Sequence, residues 1–222
     1  MKIMVSLRAE EKTIPEIEAK MKLVGGDMVK IEYLENCLKQ PLPNDVKRFC
    51  HLKLADFYAS KLMFKPAAKN MDLAGECATT YKDKVDYFMK EIEYLMKDED
   101  YLFIEKAFKK ALNCATTSEK KILEVQLKKS FINRAEEYEK KGKRNAAIKV
   151  YEKFCEMHST TQDERKEVMA KLAGLYSKTG KIREAMKTEA WIKNPPAPQK
   201  KQDEGQDIKV VSFEELGIEG LD

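Results

Sequence analysis

Residues 133–149 and 171–187 of this 222-residue chain carry nearly the same pattern, and this internal repeat constrains the fold more than any other feature. Small, aromatic and turn-forming residues recur in one order: Ala135 and Ala173, Tyr138 and Tyr176, Gly142 and Gly180, Ala147 and Ala185. A related pattern occurs earlier as Ala55, Tyr58, Leu62 and Ala67, with a weaker unit at 82–115. A repeat of roughly 38–40 residues is the signature of a helical solenoid.

Helix signals between the repeats support this interpretation. Residues 13–16 and 161–164 each form a capping box, and Thr117 or Ser118 is expected to cap a helix that reaches Lys141. Charged residues make up 36% of the chain and the mean hydropathy is −0.59, which is typical of helices with much exposed surface. The sequence therefore predicts an all-α fold: an α-solenoid of about five antiparallel helical hairpins with a disordered C-terminal tail.

The recurring residues have physical roles in such a fold. Small side chains at Ala135 and Ala147 let the two helices of a hairpin approach closely. Tyr138 is large enough to reach the neighbouring hairpin, with its ring buried and its hydroxyl hydrogen-bonded. Gly142 and Gly180 are expected just past a helix end, where a left-handed backbone needs a residue without a β-carbon.

The order Ala135, Tyr138, Gly142, Ala147 and Tyr151 resembles a tetratricopeptide repeat, and the longer period is similar to that of soluble NSF-attachment proteins. The resemblance covers about residues 44–193 and is strongest over 128–193. It implies an N-terminal helical hairpin or cap at 1–43, helical repeats at 44–193, and a linker with an acidic and apolar tail at 194–222.

In tetratricopeptide repeats the first helix of each unit lines a concave face that often binds peptides. The resemblance implies that this face includes seven residues: Lys129, Asn133, Glu136, Lys140, Lys171, Gly174 and Lys178. The lysine and asparagine clamp for C-terminal carboxylates is not reproduced, because Glu136 and Gly174 stand where asparagine is expected. An ordinary solvated helix face is the alternative interpretation of all seven.

No catalytic or metal-binding pattern is found in the sequence. The five cysteines form no CxxC pair, and Cys155 with His158 supplies two ligands at most. His51 follows Cys50 directly, so the two side chains point to different faces of a helix. No segment approaches the ~20 apolar residues of a membrane span. The sequence predicts a non-enzymatic, cytoplasmic protein without cofactor or metal.

Charge is distributed unevenly along the chain. Residues 105–155 contain fourteen Lys or Arg against seven Asp or Glu, a net charge of +7. Residues 203–222 have a net charge of −6. The basic middle leaves open an RNA- or ribonucleoprotein-associated function, but acidic residues interleave with the lysines and few aromatic residues accompany them, so nucleic-acid binding is disfavoured.

The C-terminal tail contains more apolar residues than a permanently solvated segment usually does. Its candidate recognition motif comprises Ile208, Val210, Val211, Phe213 and Leu216, followed by Ile218 and Leu221. We expect the tail to order on binding, either on its own solenoid or on another protein. The predicted function is a scaffold or adaptor that binds a protein or peptide partner.

Overall fold

A computed structural model describes residues 9–157 and 159–195, and these residues form ten helices and no strand. The helices are α1 (Ile14–Leu23), α2 (Asp27–Leu38), α3 (Asn44–Ser60), α4 (Phe64–Cys77), α5 (Tyr81–Lys97), α6 (Tyr101–Cys114), α7 (Thr117–Lys140), α8 (Arg144–Glu156), α9 (Gln162–Lys178) and α10 (Ile182–Lys193). The all-α prediction is confirmed, whereas the predicted disordered tail lies outside the described residues.

The helices pair in chain order into a solenoid-like stack. Four hairpins are formed by α3 with α4, α5 with α6, α7 with α8, and α9 with α10. Between hairpins, α4 packs on α5 and α8 packs on α9. A small apolar cluster joins α1, α2 and α3, while a longer one runs continuously from α3 to α10. The core is therefore distributed along the stack, as expected when each hairpin is completed by its neighbour.

The four hairpins from α3 to α10 are closed by the same three-residue turn. Its central residue has a positive φ of 60° at Leu62, 61° at Glu99, 71° at Gly142 and 76° at Gly180. The next amide donates to the carbonyl five residues earlier, for example from Lys143 to Tyr138 at 2.8 Å. This is the Schellman arrangement, and the left-handed backbone predicted at both glycines is confirmed.

The tyrosines of the repeat join consecutive hairpins. Tyr138 is 3% exposed, and its hydroxyl donates to Oε1 of Glu99 in the preceding hairpin at 2.6 Å. The hydroxyl of Tyr176 donates to Oε1 of Glu152, which lies in α8 of the preceding hairpin, at 2.5 Å. Ala135 and Ala147 are fully buried. The roles predicted for the tyrosine and the alanines are thus confirmed.

One predicted helix start is wrong by a residue. Thr116, rather than Thr117 or Ser118, caps α7: its hydroxyl accepts from the Glu119 amide, and the Glu119 carboxylate accepts from the Thr116 amide at 2.8 Å. The helix also ends at Lys140, one residue before the predicted Lys141. A capping box needs Glu or Gln three residues after the capping residue, and Glu119 stands at that distance from Thr116. Lysines stand at that distance from Thr117 and Ser118.

Replacing Leu62 by glycine should stabilise the protein. A left-handed conformation costs a residue with a β-carbon ~1–2 kcal/mol, and the added flexibility of glycine in the unfolded chain returns part of this. We expect a net gain of about 0.5–1 kcal/mol in the free energy of unfolding, measured by urea denaturation. Met63→Gly is the matched control, because Met63 has a φ of −89° and no such strain to relieve. Equal destabilisation by both substitutions would contradict the turn geometry.

Candidate functional site

A groove runs between α7 and α9, the first helices of the last two hairpins. Val125 and Ile132 line it from α7, Val168 lines it from α9, and Phe154 of α8 contributes to its floor. Its volume is about 280 Å³. The groove exists because α8 separates the two first helices on one side and leaves them uncovered on the other.

Helix α7 carries two exposed apolar side chains among the charged residues of its open face, in addition to the apolar side chains that it buries. Leu123, Leu127 and Phe131 point into the core. On the opposite side Ile122 is 57% exposed and Val125 is 64% exposed. The core does not account for these two side chains, and an apolar stripe without a partner is a typical feature of a binding surface.

Two ion pairs connect the walls of the groove. Nζ of Lys128 on α7 lies 2.8 Å from Oε2 of Glu164 on α9, and Nζ of Lys171 on α9 lies 2.7 Å from Oε1 of Glu136 on α7. The hydrogen bond and charge of Lys171 lower the pKa of Glu136. Within the described part of the chain, Lys129 on the same rim takes part in no ion pair, so its ammonium group remains available to a ligand carboxylate.

The structure brings together only some of the residues predicted for this site. Lys129 and Lys171 line the groove, and Glu136 borders it through its ion pair with Lys171. Asn133 and Lys140 are exposed on α7 but are not among the lining residues.

The other two predicted residues lie elsewhere on α9. Gly174 is exposed on α9, and a β-carbon added there would meet no atom within 4 Å. Lys178 lines a separate open depression beside the turn at Gly142. The predicted set therefore divides between the groove and two other surfaces.

The sequence prediction missed the apolar lining of the groove. Val125 and Ile132 are seven residues apart on α7, a helical spacing that was visible in the sequence. Val168 and Phe154 carried no such signal, since both also pack as ordinary core residues with 3% exposure.

A cluster of charged residues between α4, α5 and α6 is a second candidate for chemistry. Glu91 of α5 is 9% exposed, and its Oε2 atom has no hydrogen-bond partner. Lys110 of α6 pairs with Asp72 and Glu76 of α4. Burial, reinforced by Asp72, raises the pKa of Glu91 to about 8, while Lys110 and Lys106 oppose the shift. Glu91 is not among the residues that line the groove between α7 and α9, and burial of its unpartnered carboxyl bears on stability.

The remaining candidate residues suggest no chemistry in the described ranges. Nδ1 of His51 lies 2.9 Å from Oδ1 of the buried Asn70, and burial lowers the pKa of His51. Among residues 9–157 and 159–195, no three His, Cys, Asp or Glu side chains are placed to hold a metal ion. His158, the candidate partner of Cys155, lies outside the described residues.

No protein-family model matches this chain, and no curated protein matches it. The tetratricopeptide resemblance accordingly remains a prediction. Separately, none of the helices in the described ranges is long and apolar enough to cross a membrane.

Replacing Glu91 by glutamine should remove a pH dependence of stability. The unfolded carboxyl titrates near ~4.3, so folding takes up a proton between that pH and about 8, and stability falls as the pH rises through this window. We expect Glu91→Gln to melt at a higher temperature than the wild type at pH 9 and to lose this advantage at pH 5. Asp86→Asn, at an exposed position of the same helix, is the control. Parallel melting profiles for the wild type and Glu91→Gln from pH 5 to 9 would contradict the burial of an uncompensated carboxyl.

Proposed function

We propose that this protein is a non-enzymatic, tetratricopeptide-like interaction scaffold whose groove between α7 and α9 binds a peptide segment of a protein partner. The observation that carries the proposal is an exposed apolar groove between two helices that are connected by ion pairs. Such a surface is already formed before binding, so a ligand does not have to order it. Preorganisation of this kind favours affinity.

The size and lining of the groove indicate the class of ligand. At about 280 Å³ it lies just below the ~300–1,000 Å³ typical of small-molecule and cofactor pockets, and it suits one or two apolar side chains of a longer segment. Lys129 on the rim favours a carboxylate beside those side chains. The preferred ligand is therefore a peptide that carries apolar residues next to Asp or Glu.

The open face of α7 favours a protein ligand over RNA. The exposed apolar side chains there, Ile122 and Val125, are aliphatic, whereas single-stranded nucleic acids stack on aromatic rings. Part of the positive charge of residues 105–155 is also neutralised within the protein, because Lys128, Lys141 and Lys153 form ion pairs with glutamates. An RNA-associated function is the second candidate, because Lys120, Lys121 and Lys129 remain exposed in the same region.

The test is a selection of peptides from a random library by the full-length protein. We expect the selected peptides to combine apolar and acidic residues. Their affinity should fall tenfold or more for Val125→Glu, because this substitution places a carboxylate in the groove. Val125 is 64% exposed, so its replacement should leave the melting temperature unchanged. Leu102→Glu is the matched control, since Leu102 is 81% exposed on α6 and is not among the residues that line the groove.

Three results would contradict the proposal. They are a library that yields no binder, equal binding by the Val125→Glu and Leu102→Glu variants, and selection of basic peptides. An oligonucleotide that binds with a steep dependence on salt concentration and loses affinity when Lys120, Lys121 and Lys129 are replaced by glutamate would favour the RNA alternative.

A further inference from the structure

The last hairpin exposes an apolar position that the preceding hairpin buries. Ile148 lies six residues after the left-handed Gly142, and Met186 lies six residues after the left-handed Gly180. Ile148 is 1% exposed, whereas Met186 is 66% exposed. The two sites differ in their neighbours along the stack: α8 is covered by α9, whereas no described helix lies beyond α10.

Helix α9 has a matching uncovered side. On α7, Ile132 and Glu136 face α9: Ile132 lines the groove between the two helices, and Glu136 pairs with Lys171 of α9. Ala170 and Gly174 are their equivalents on α9, and both are exposed. A surface of such small side chains permits close approach of another segment. Together with the exposed Ile182 and Met186 of α10, these residues define what we call the open end: Ala170, Gly174, Ile182 and Met186.

Terminal units of a solenoid normally present a polar outer face, because no further unit covers them. The open end is polar only in part. Glu189 replaces the buried Tyr151 of the preceding hairpin, but Ile182 remains 56% exposed beside Met186. The described structure thus leaves uncovered an apolar surface that the repeat geometry provides for one more segment.

The chain itself supplies a segment of suitable composition within reach. Helix α10 ends at Lys193, and 27 residues come after the last described one. The stretch from 196 to 207 can span up to about 40 Å, more than twice the ~18 Å length of the twelve-residue helix α10. It therefore lets the tail return over the open end without strain.

We propose that residues 207–222 cover the open end of the solenoid in the same molecule, taking the place of a further hairpin. Phe213 and Leu216 lie three residues apart, so one helical turn would place both side chains on Met186 and Ile182. Close packing over Gly174 needs no rearrangement, since no atom lies near its β-position.

Charge and tethering both favour this occupant. Residues 162–193 carry eight Lys or Arg against five Asp or Glu, whereas residues 207–222 carry five Asp or Glu and one Lys. A short tether raises the effective concentration of the tail at this surface to the order of millimolar. Residues 105–155 also complement the charge of the tail, but Met186 on α10 is the exposed position whose equivalent in the preceding hairpin, Ile148, is buried.

Hydrogen–deuterium exchange of the full-length protein tests the proposal directly. We expect amides within 207–222 to exchange at least tenfold more slowly than the rates intrinsic to their sequence. Met186→Glu and, separately, Phe213→Ser should each restore the intrinsic rates. Val125→Glu is the matched control at an equally exposed position in the groove, and it should leave the protection unchanged.

Each opposite result overturns the proposal. Exchange of the wild-type tail at intrinsic rates would show that no docking occurs. Loss of protection in Val125→Glu with retention in Met186→Glu would place the tail in the groove. Protection that disappears on dilution would assign the open end to a second copy of the chain. None of these results depends on the library selection, so the tail proposal and the scaffold proposal can fail separately.

Discussion

The hydrogen bond from a repeat tyrosine to a glutamate of the preceding hairpin is the contact on which the stack depends. Tyr138 acts twice: its carbonyl accepts the amide of Lys143 and closes its own hairpin, while its hydroxyl donates to Glu99. Glu99 is itself the left-handed residue of the preceding turn. One residue thereby couples the turn within a hairpin to the turn of its neighbour, and an error in either would displace the other.

The groove lies where the last two hairpins meet, and these are joined by the corresponding hydrogen bond from Tyr176 of α9 to Glu152 of α8. A hairpin alone buries only one side of each helix, so the position of each first helix is set by the hairpins on either side. Packing against the neighbouring hairpins thus sets the distance between α7 and α9, and the ion pair of Lys128 with Glu164 forms across that distance. Arg48 of α3 and Asp83 of α5 form a comparable contact at 3.3 Å between two earlier first helices. The ion pairs therefore adjust a spacing that is set by packing.

The hairpin turns could be predicted from the sequence where the residue type favours the backbone conformation that the turn needs. Gly142 and Gly180 revealed their turns because glycine is favoured at positive φ. Leu62 and Glu99 adopt the same conformation, but neither residue type predicts it, and only the surrounding packing imposes it. Leu62 could be aligned with the glycines from the repeat pattern, whereas nothing in the sequence indicated Glu99.

The candidate site was harder to predict for a related reason. A concave face depends on which helices are neighbours, and the sequence placed Gly174 beside Lys171 on that face. The structure shows that Lys171 pairs with Glu136 of α7 and lines the groove, whereas Gly174, one turn further along α9, is exposed and is not among the lining residues. The burial of Glu91 had no sequence signal either, since it depends on residues of three helices.

A double-mutant cycle on Tyr138 and Glu99 tests the central claim most directly. The free energies of unfolding of the wild type, Tyr138→Phe, Glu99→Ala and the double variant would be compared. The coupled-hairpin account predicts an interaction energy of about 1 kcal/mol or more, as expected for a hydrogen bond to a charged group at a largely buried tyrosine. Additivity of the two single effects within about 0.3 kcal/mol would show that the hairpins are not joined through this contact.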